Sequence, residues 1–176
     1  MFNIDLPLLY KALKYYESLG YQMISAPYLI DKDIIDITLP DNRVAKEHNS
    51  LYYVGSAEQS AYQLFKDGKL PYDKWMMLTP CQRDEEILDD THLEIFLKLE
   101  LMLKGNKYNK IIEDVLSFYN NDNCIIISTE QGKDILFNNI EIGSFGTREV
   151  FGQDFSFGTG LAMPRYTQAL LKVEKV

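Results

Sequence analysis

Apolar and polar positions alternate most regularly between Trp75 and Leu103, in the run WMMLTPCQRDEEILDDTHLEIFLKLELML. The pattern predicts two strands joined by a short acidic turn. The first strand is apolar and ends in Gln82-Arg83-Asp84-Glu85. The second alternates, with His92, Glu94, Phe96, Lys98 and Glu100 on one face and Leu93, Ile95, Leu97 and Leu99 on the other. Such alternation marks an antiparallel sheet buried on one side. Arg83 and Glu85, two residues apart on one strand, point the same way. Phe96 is a lone ring on the charged face. A floor carrying an arginine, a ring and carboxylates suits a ligand with phosphates, a flat base and an amine.

The flanking periodicities predict helices packed on this sheet. Asp5–Leu19 reads as a helix, capped by Asp5, with Pro7 in its first turn, Gly20 at its end and an apolar stripe through Leu9, Ala12, Leu13 and Tyr16. A strand, Tyr21–Ala26, follows and stops at Pro27. Asp31–Ser50, with Asp41-Asn42, reads as a polar surface loop with one short helix. Leu51–Val54 is a strand, and a helix runs from about Gln59 to Lys69. Asn106–Asn120 is a further helix, closed by the turn Asn120–Asn123, and Cys124–Ser128 is a buried β-branched strand. Asp134–Phe137 and Ile140–Ser144 form a hairpin about Asn138-Asn139. Phe155–Gly160 is the last strand and Arg165–Lys172 the last helix.

At 176 residues this is one domain, residues 1–176, long enough for a core. With 46% hydrophobic and 25% charged residues the composition is that of a soluble globular protein. The net charge of −8 disfavours unaided binding to nucleic acid, which calls for a basic face. Cys81 and Cys124 lie in apolar runs, as buried free thiols of a reducing compartment do, and two cysteines with two scattered histidines make no zinc site. No apolar stretch approaches membrane-spanning length and the first residues show no basic region followed by an apolar run, so the expected location is the cytoplasm.

Three further segments carry candidate chemistry. Ser56-Ala57-Glu58 lies between a strand and a helix; Ser56 suits a helix cap, and a hydroxyl beside a carboxylate also suits an ammonium. Glu141-Ile142-Gly143-Ser144 offers one carboxylate and one hydroxyl on a strand, where by itself a glutamate is more simply a solvated one. Arg148 follows, fitting either an anion contact or a plain surface position. Gly158-Thr159-Gly160-Leu161-Ala162-Met163-Pro164-Arg165 runs from strand into helix, with glycines that would let a ligand approach and an arginine in the first helical turn.

Thr79-Pro80-Cys81-x-Arg83-x-Glu85, followed by His92-x-x-x-Phe96-x-x-x-Glu100, resembles motif 2 of the class II aminoacyl-tRNA synthetases, most closely seryl-tRNA synthetase. The helix–Gly20-Tyr21–strand–Pro27 unit is similar to motif 1, and Gly-x-Gly-x-Ala-x-x-Arg to motif 3. Ser-Ala-Glu and Glu-x-x-Ser fall in the corresponding places between them. The likeness covers nearly the whole chain. It implies an α+β fold with a mainly antiparallel sheet of about six strands flanked by helices, and a homodimer through residues 5–27. It also implies ATP and Mg²⁺ as cofactors. Arg83 would hold the α-phosphate, Arg165 and His92 the γ-phosphate, Glu85 and Phe96 the adenine, and Glu141 and Ser144 the metal. Ser56 and Glu58 would take the substrate amine and Glu100 its side chain.

The sequence departs from the family at Gln82, where an aromatic residue is usual, and at His92, where a second arginine is usual. The hairpin loop Glu86–Thr91 is short, and with Asp84 and Glu85 the segment carries Glu86, Asp89 and Asp90, which would repel a tRNA backbone. A stand-alone paralogue is expected, a bare core without an anticodon-binding domain or an N-terminal arm. The resemblance implies ATP-dependent activation of an amino acid, with tRNA, a carrier protein or a small amine as acceptor. The other reading is a catalytically degenerate paralogue that binds nucleotide or amino acid and regulates a partner.

Overall fold

The computed structural model describes residues 4–40, 43–85, 88–120 and 123–173. Asp41-Asn42 of the first polar loop, Glu86 of the hairpin loop and Asn121-Asp122 of the predicted turn lie outside them. Ten strands and five helices follow in the order α1 Leu6–Ser18, β1 Gln22–Met23, β2 Leu29–Ile30, α2 Lys32–Ile35, β3 Glu47–His48, β4 Leu51–Tyr53, α3 Glu58–Lys66, β5 Lys74–Gln82, β6 Ile95–Lys104, α4 Tyr108–Tyr119, β7 Cys124–Thr129, β8 Gly132–Phe137, β9 Ile140–Val150, β10 Gln153–Met163 and α5 Arg165–Val173. The architecture is α+β, as expected. The main sheet has seven strands in the order β1-β5-β6-β10-β9-β8-β7, antiparallel throughout except for β1 beside β5. A second sheet of three short strands, β2-β4-β3, is built partly from the segment read as loop.

Alternation along β6 divides the interior into two layers. Leu99, Leu101 and Leu103 face α1, α4 and α5, where Tyr16, Ile111, Val115, Phe118 and Ala169 close one core. Met102 faces the other way with Trp75, Met77, Phe155 and Phe157, against Ile34, Ile35, Ala61 and Tyr62 from α2 and α3. The second face is therefore covered over part of its length rather than solvated. The strand starts at Ile95, so His92 and Glu94 precede it.

Local chemistry sets the ends of α1. Asp5 accepts a hydrogen bond from the Leu8 amide at 2.9 Å, and Gly20, with φ of 87°, turns the chain into β1. Helix α3 begins at Glu58 without a side-chain cap; the amides of Gly55 and Ser56 instead donate to Gln59 Oε1 at 2.8 and 3.2 Å. Ser56 is thus free of the capping role. Strand β7 is exposed, not buried: Ile125, Ile126 and Ile127 sit on the outermost strand, which pairs only with β8, while α4 and α5 lie over β9 and β10.

The glycines of β10 serve packing on the helical face. A Cβ on Gly158 would meet Ile111 Cγ2 at 2.7 Å, and one on Gly160 would meet Leu101 and Tyr16 at 3.0 Å. The Gly160 carbonyl accepts from the Tyr16 hydroxyl at 2.9 Å. Their absent side chains let α1 and α4 close on the sheet; they do not open the strand to a ligand. Gly158→Ala is expected to lower unfolding stability by about 1–3 kcal/mol through overpacking, read as a lower urea midpoint at unchanged slope; a midpoint equal to the native one would contradict this packing role.

Candidate active site

The uncovered part of the second sheet face is a cavity of ≈ 350 Å³, lined on its far side by the Gly55–Gln59 turn, by Thr38–Pro40 and by Arg43–Ala45. Arg83, Glu85, Phe96, Ser56, Glu58, Glu141, Ser144 and Arg165, singled out in the sequence on different segments, all line it. His92 lines a smaller recess that shares Glu85, Phe96 and Arg165 with the main cavity. Glu100 lines neither; it is fully buried beneath Lys98.

Strand parity delivers Arg83 and Glu85. Trp75 and Met77 point to this face from β5, and the same alternation carries it through to residues 83 and 85 past the strand end. The Arg83 amide still donates to Glu94 O at 2.9 Å, so the hairpin ladder holds it. Its Nε donates to Gly55 O at 2.6 Å and its guanidinium carbon lies 5.0 Å from the centre of the Phe96 ring. Among the described residues no carboxylate pairs with it. Glu85 faces Arg43 at 3.4 Å, from the loop that sequence reading placed simply on the surface.

Two strand irregularities aim the remaining groups. Residues three apart in a regular strand face opposite sides. Between β8 and β9 the register shifts by one at Ile142, and Glu141 and Ser144 thereby share the cavity face. Between β6 and β10 it shifts at Gly160, which turns Thr159 and Ala162 to one side and leads Arg165 into the cavity. Arg165 donates from Nη1 to Glu141 Oε1 at 2.9 Å and from Nε to Thr91 O at 3.2 Å. Asp89 accepts from the amides of Thr91 and His92, at 2.7 Å each, and these bonds hold its carboxyl well below the usual range. That turn presents Thr91 O to Arg165 and leaves His92 exposed.

Charges gather at the inner end. Glu58, only 5% exposed, accepts a short hydrogen bond from the Ser56 hydroxyl and lies 3.7 Å from Lys98 Nζ and 3.8 Å from Arg148 Nη1. Burial pushes its carboxyl up, but Lys98, the Ser56 hydroxyl and Arg148 more than offset that and hold it below the usual range. Lys98 Nζ also sits 2.6 Å from Glu100 Oε2 in a buried ion pair. Sequence reading placed Lys98 on the polar face without a role and left Arg148 open; parity along β6 was the only available signal for the first. Burial also takes the neighbouring Cys81 thiol up to about 12, leaving it inert.

Burial raises the Glu100 carboxyl to about 7, Lys98 opposing and Glu58 adding to it. The folded state therefore holds this proton more tightly than the unfolded chain. Its contribution to stability is complete below the ordinary value of 4.5 and is lost as pH rises through about 7. Relative to Glu100→Gln, the native protein is expected to lose unfolding free energy across that window in urea titrations; parallel pH profiles for the two would contradict the assignment.

No protein-family model matches the sequence, and no curated protein matches it. Solved structures do match the fold. A pyrrolysyl-tRNA synthetase from Desulfitobacterium hafniense superposes with a TM-score of 0.72 at 16% identity, over 97% of this chain and 70% of that one. A second structure from that organism, PylSc, a pyrrolysyl tRNA synthetase, gives 0.70 at 17% identity, over 97% and 69%. Seryl-tRNA synthetase from Pyrococcus horikoshii, complexed with ATP, gives 0.74 at 15% identity, over 94% of this chain and 49% of that one. The α+β fold is that of the class II synthetase catalytic domain.

Proposed function

We propose that this chain is a synthetase-like ligase that activates an amino acid with Mg-ATP, forming an aminoacyl adenylate and releasing pyrophosphate. What carries the reading is Arg83: a guanidinium fork in the cavity, beside the Phe96 ring, with no carboxylate partner among the described residues. Such a fork matches an anionic oxygen pair. In support, the seryl-tRNA synthetase whose fold matches is complexed with ATP.

In this reading Phe96 stacks on the adenine, Glu85 accepts from its amino group, and Arg83 clamps the α-phosphate. Arg165 exchanges Glu141 for the γ-phosphate, with His92 near it in the adjoining recess. Glu141 and Ser144 would hold Mg²⁺. The fit is a matter of donor chemistry: one carboxylate and one hydroxyl on the same face of β9, hard oxygen donors of the kind Mg²⁺ takes. When bound, the ion supplies neutralisation of the phosphate charge. Glu58 and Ser56 hold the substrate ammonium, and the substrate carboxylate attacks the α-phosphorus in line as the bond to the β-phosphate breaks. Positioning and charge complementarity drive this step, and no general base is needed.

The acceptor of the acyl group is a tRNA, a carrier protein or a small amine. The acidic hairpin loop and the net charge of −8 disfavour unaided tRNA. The free cysteines and the lack, among the described residues, of any helix long and apolar enough to cross a membrane accord with a cytoplasmic enzyme. A homodimer through residues 5–27 accords with Leu6 and Tyr10, each 65% exposed on α1. Tyr10→Glu is then expected to shift the protein to monomer in sedimentation; a native chain already monomeric would refute that interface.

Amino-acid-dependent exchange of labelled pyrophosphate into ATP tests the activity. Exchange is expected for the native chain, falling about a hundredfold to a thousandfold in Arg83→Ala. ATP binding with no exchange for any amino acid would favour a degenerate regulatory paralogue instead.

A further inference from the structure

Phe96, Lys98 and Glu100 share one face of β6 but lie at different depths. Phe96 and Lys98 reach the cavity, while Glu100 has no exposed surface. The Lys98 ammonium closes over Glu100 and is the group a ligand meets there. It donates to Ser56 Oγ at 3.3 Å as well as flanking Glu58. Arg148 enters from β9 with its guanidinium carbon 5.2 Å from the Phe157 ring centre. It lines the same cavity, and its Nη1 is shut off from solvent, 3.8 Å from Glu58 Oε1 and near the Tyr62 hydroxyl, with no hydrogen bond formed among the described residues.

Of the charges that line the inner end, one carboxylate, Glu58, thus faces two cations, while Glu100 pairs with Lys98 from beneath and does not reach the cavity. The inner end presents donors and positive charge in excess. A hydroxyl side chain has one oxygen to accept from Lys98 or Arg148 and brings no charge to offset either cation. An amine would face two cations. A carboxylate would complete both Lys98 and Arg148 with charge-assisted hydrogen bonds.

We propose that the inner end of the cavity selects an amino acid with a carboxylate side chain, held by Lys98 and Arg148, while Glu58 and Ser56 take its ammonium. This rests on the reading of the cavity as an amino-acid and ATP site. It replaces Glu100 as the residue that reads the side chain: Glu100 sets the position and charge of Lys98 from below.

Calorimetric titration of the full chain tests it, first with ATP and magnesium, then with a non-hydrolysable ATP analogue plus aspartate, glutamate, serine, asparagine or lysine. Aspartate or glutamate is expected to bind about tenfold or more tighter than the other three, and Arg148→Gln to abolish that margin. Lys98→Met should do the same, but it leaves Glu58 and Glu100 without their shared cation and can fail to fold; Arg148→Gln is therefore decisive, with its ATP affinity as the folding control. Serine, asparagine or lysine binding as tightly as the acids would overturn the inference, as would an unchanged preference in Arg148→Gln, or ATP binding without any amino acid binding. Failure of ATP itself to bind would instead remove the proposed function on which it rests.

Discussion

A β-strand sends successive side chains to opposite faces, and the cavity gains part of its lining because two neighbouring strands break that rule by one residue each. The extra residues are Ile142 on β9 and Gly160 on β10. They bring Glu141 and Ser144 to one face and deliver Arg165 opposite Glu141. Without the first shift, a carboxylate and hydroxyl three residues apart would straddle the sheet. Without the second, the chain would enter α5 with the wrong phase. The tyrosines behind the sheet fix the second bulge: Tyr16 and Tyr119 both point their hydroxyls at the Gly160 carbonyl, at 2.9 and 3.4 Å. The helical core thereby reaches through the sheet to the chemistry on its far side.

Charge is the second constraint. Nearly every carboxylate facing the cavity has a cation drawn from a different segment: Glu85 from Arg43, Glu141 from Arg165, Glu58 from Lys98 and Arg148. Charges in a partly closed site must be paired, because desolvation makes an isolated one costly. Arg83 is the exception, steadied by a carbonyl and a ring. A preorganised cation with no carboxylate partner among the described residues is a standing site for an anion. The Arg165–Glu141 pair differs in kind, since its carboxylate is almost half exposed and an incoming phosphate and metal could separate the two.

Much of this was legible in the sequence, and the reason is alternation. The Trp75–Leu103 hairpin and the shared facing of Arg83, Glu85 and Phe96 follow from a period of two and from nothing further afield. What escaped reading depended on tertiary placement. β7 has the composition of a buried strand, but composition does not say that it is the last in the sheet. Gly158 and Gly160 have the pattern of a ligand-facing strand, but the helices use the space. Ser56 has the chemistry of a cap, and Gln59 takes that work. The single-residue shifts leave no mark in the periodicity, and the partnerships of Arg43 and Arg148 join residues remote in sequence. The resemblance to the class II motifs anticipated the shared location of Glu141 and Arg165; their spacing alone did not.

The most direct measurement is a crystal structure of this chain with ATP and magnesium. The account predicts the adenine against Phe96, the α-phosphate on Arg83, and Arg165 turned from Glu141 to the γ-phosphate. A nucleotide bound elsewhere, or one in the cavity with Arg83 untouched and the Arg165–Glu141 pair intact, would contradict it.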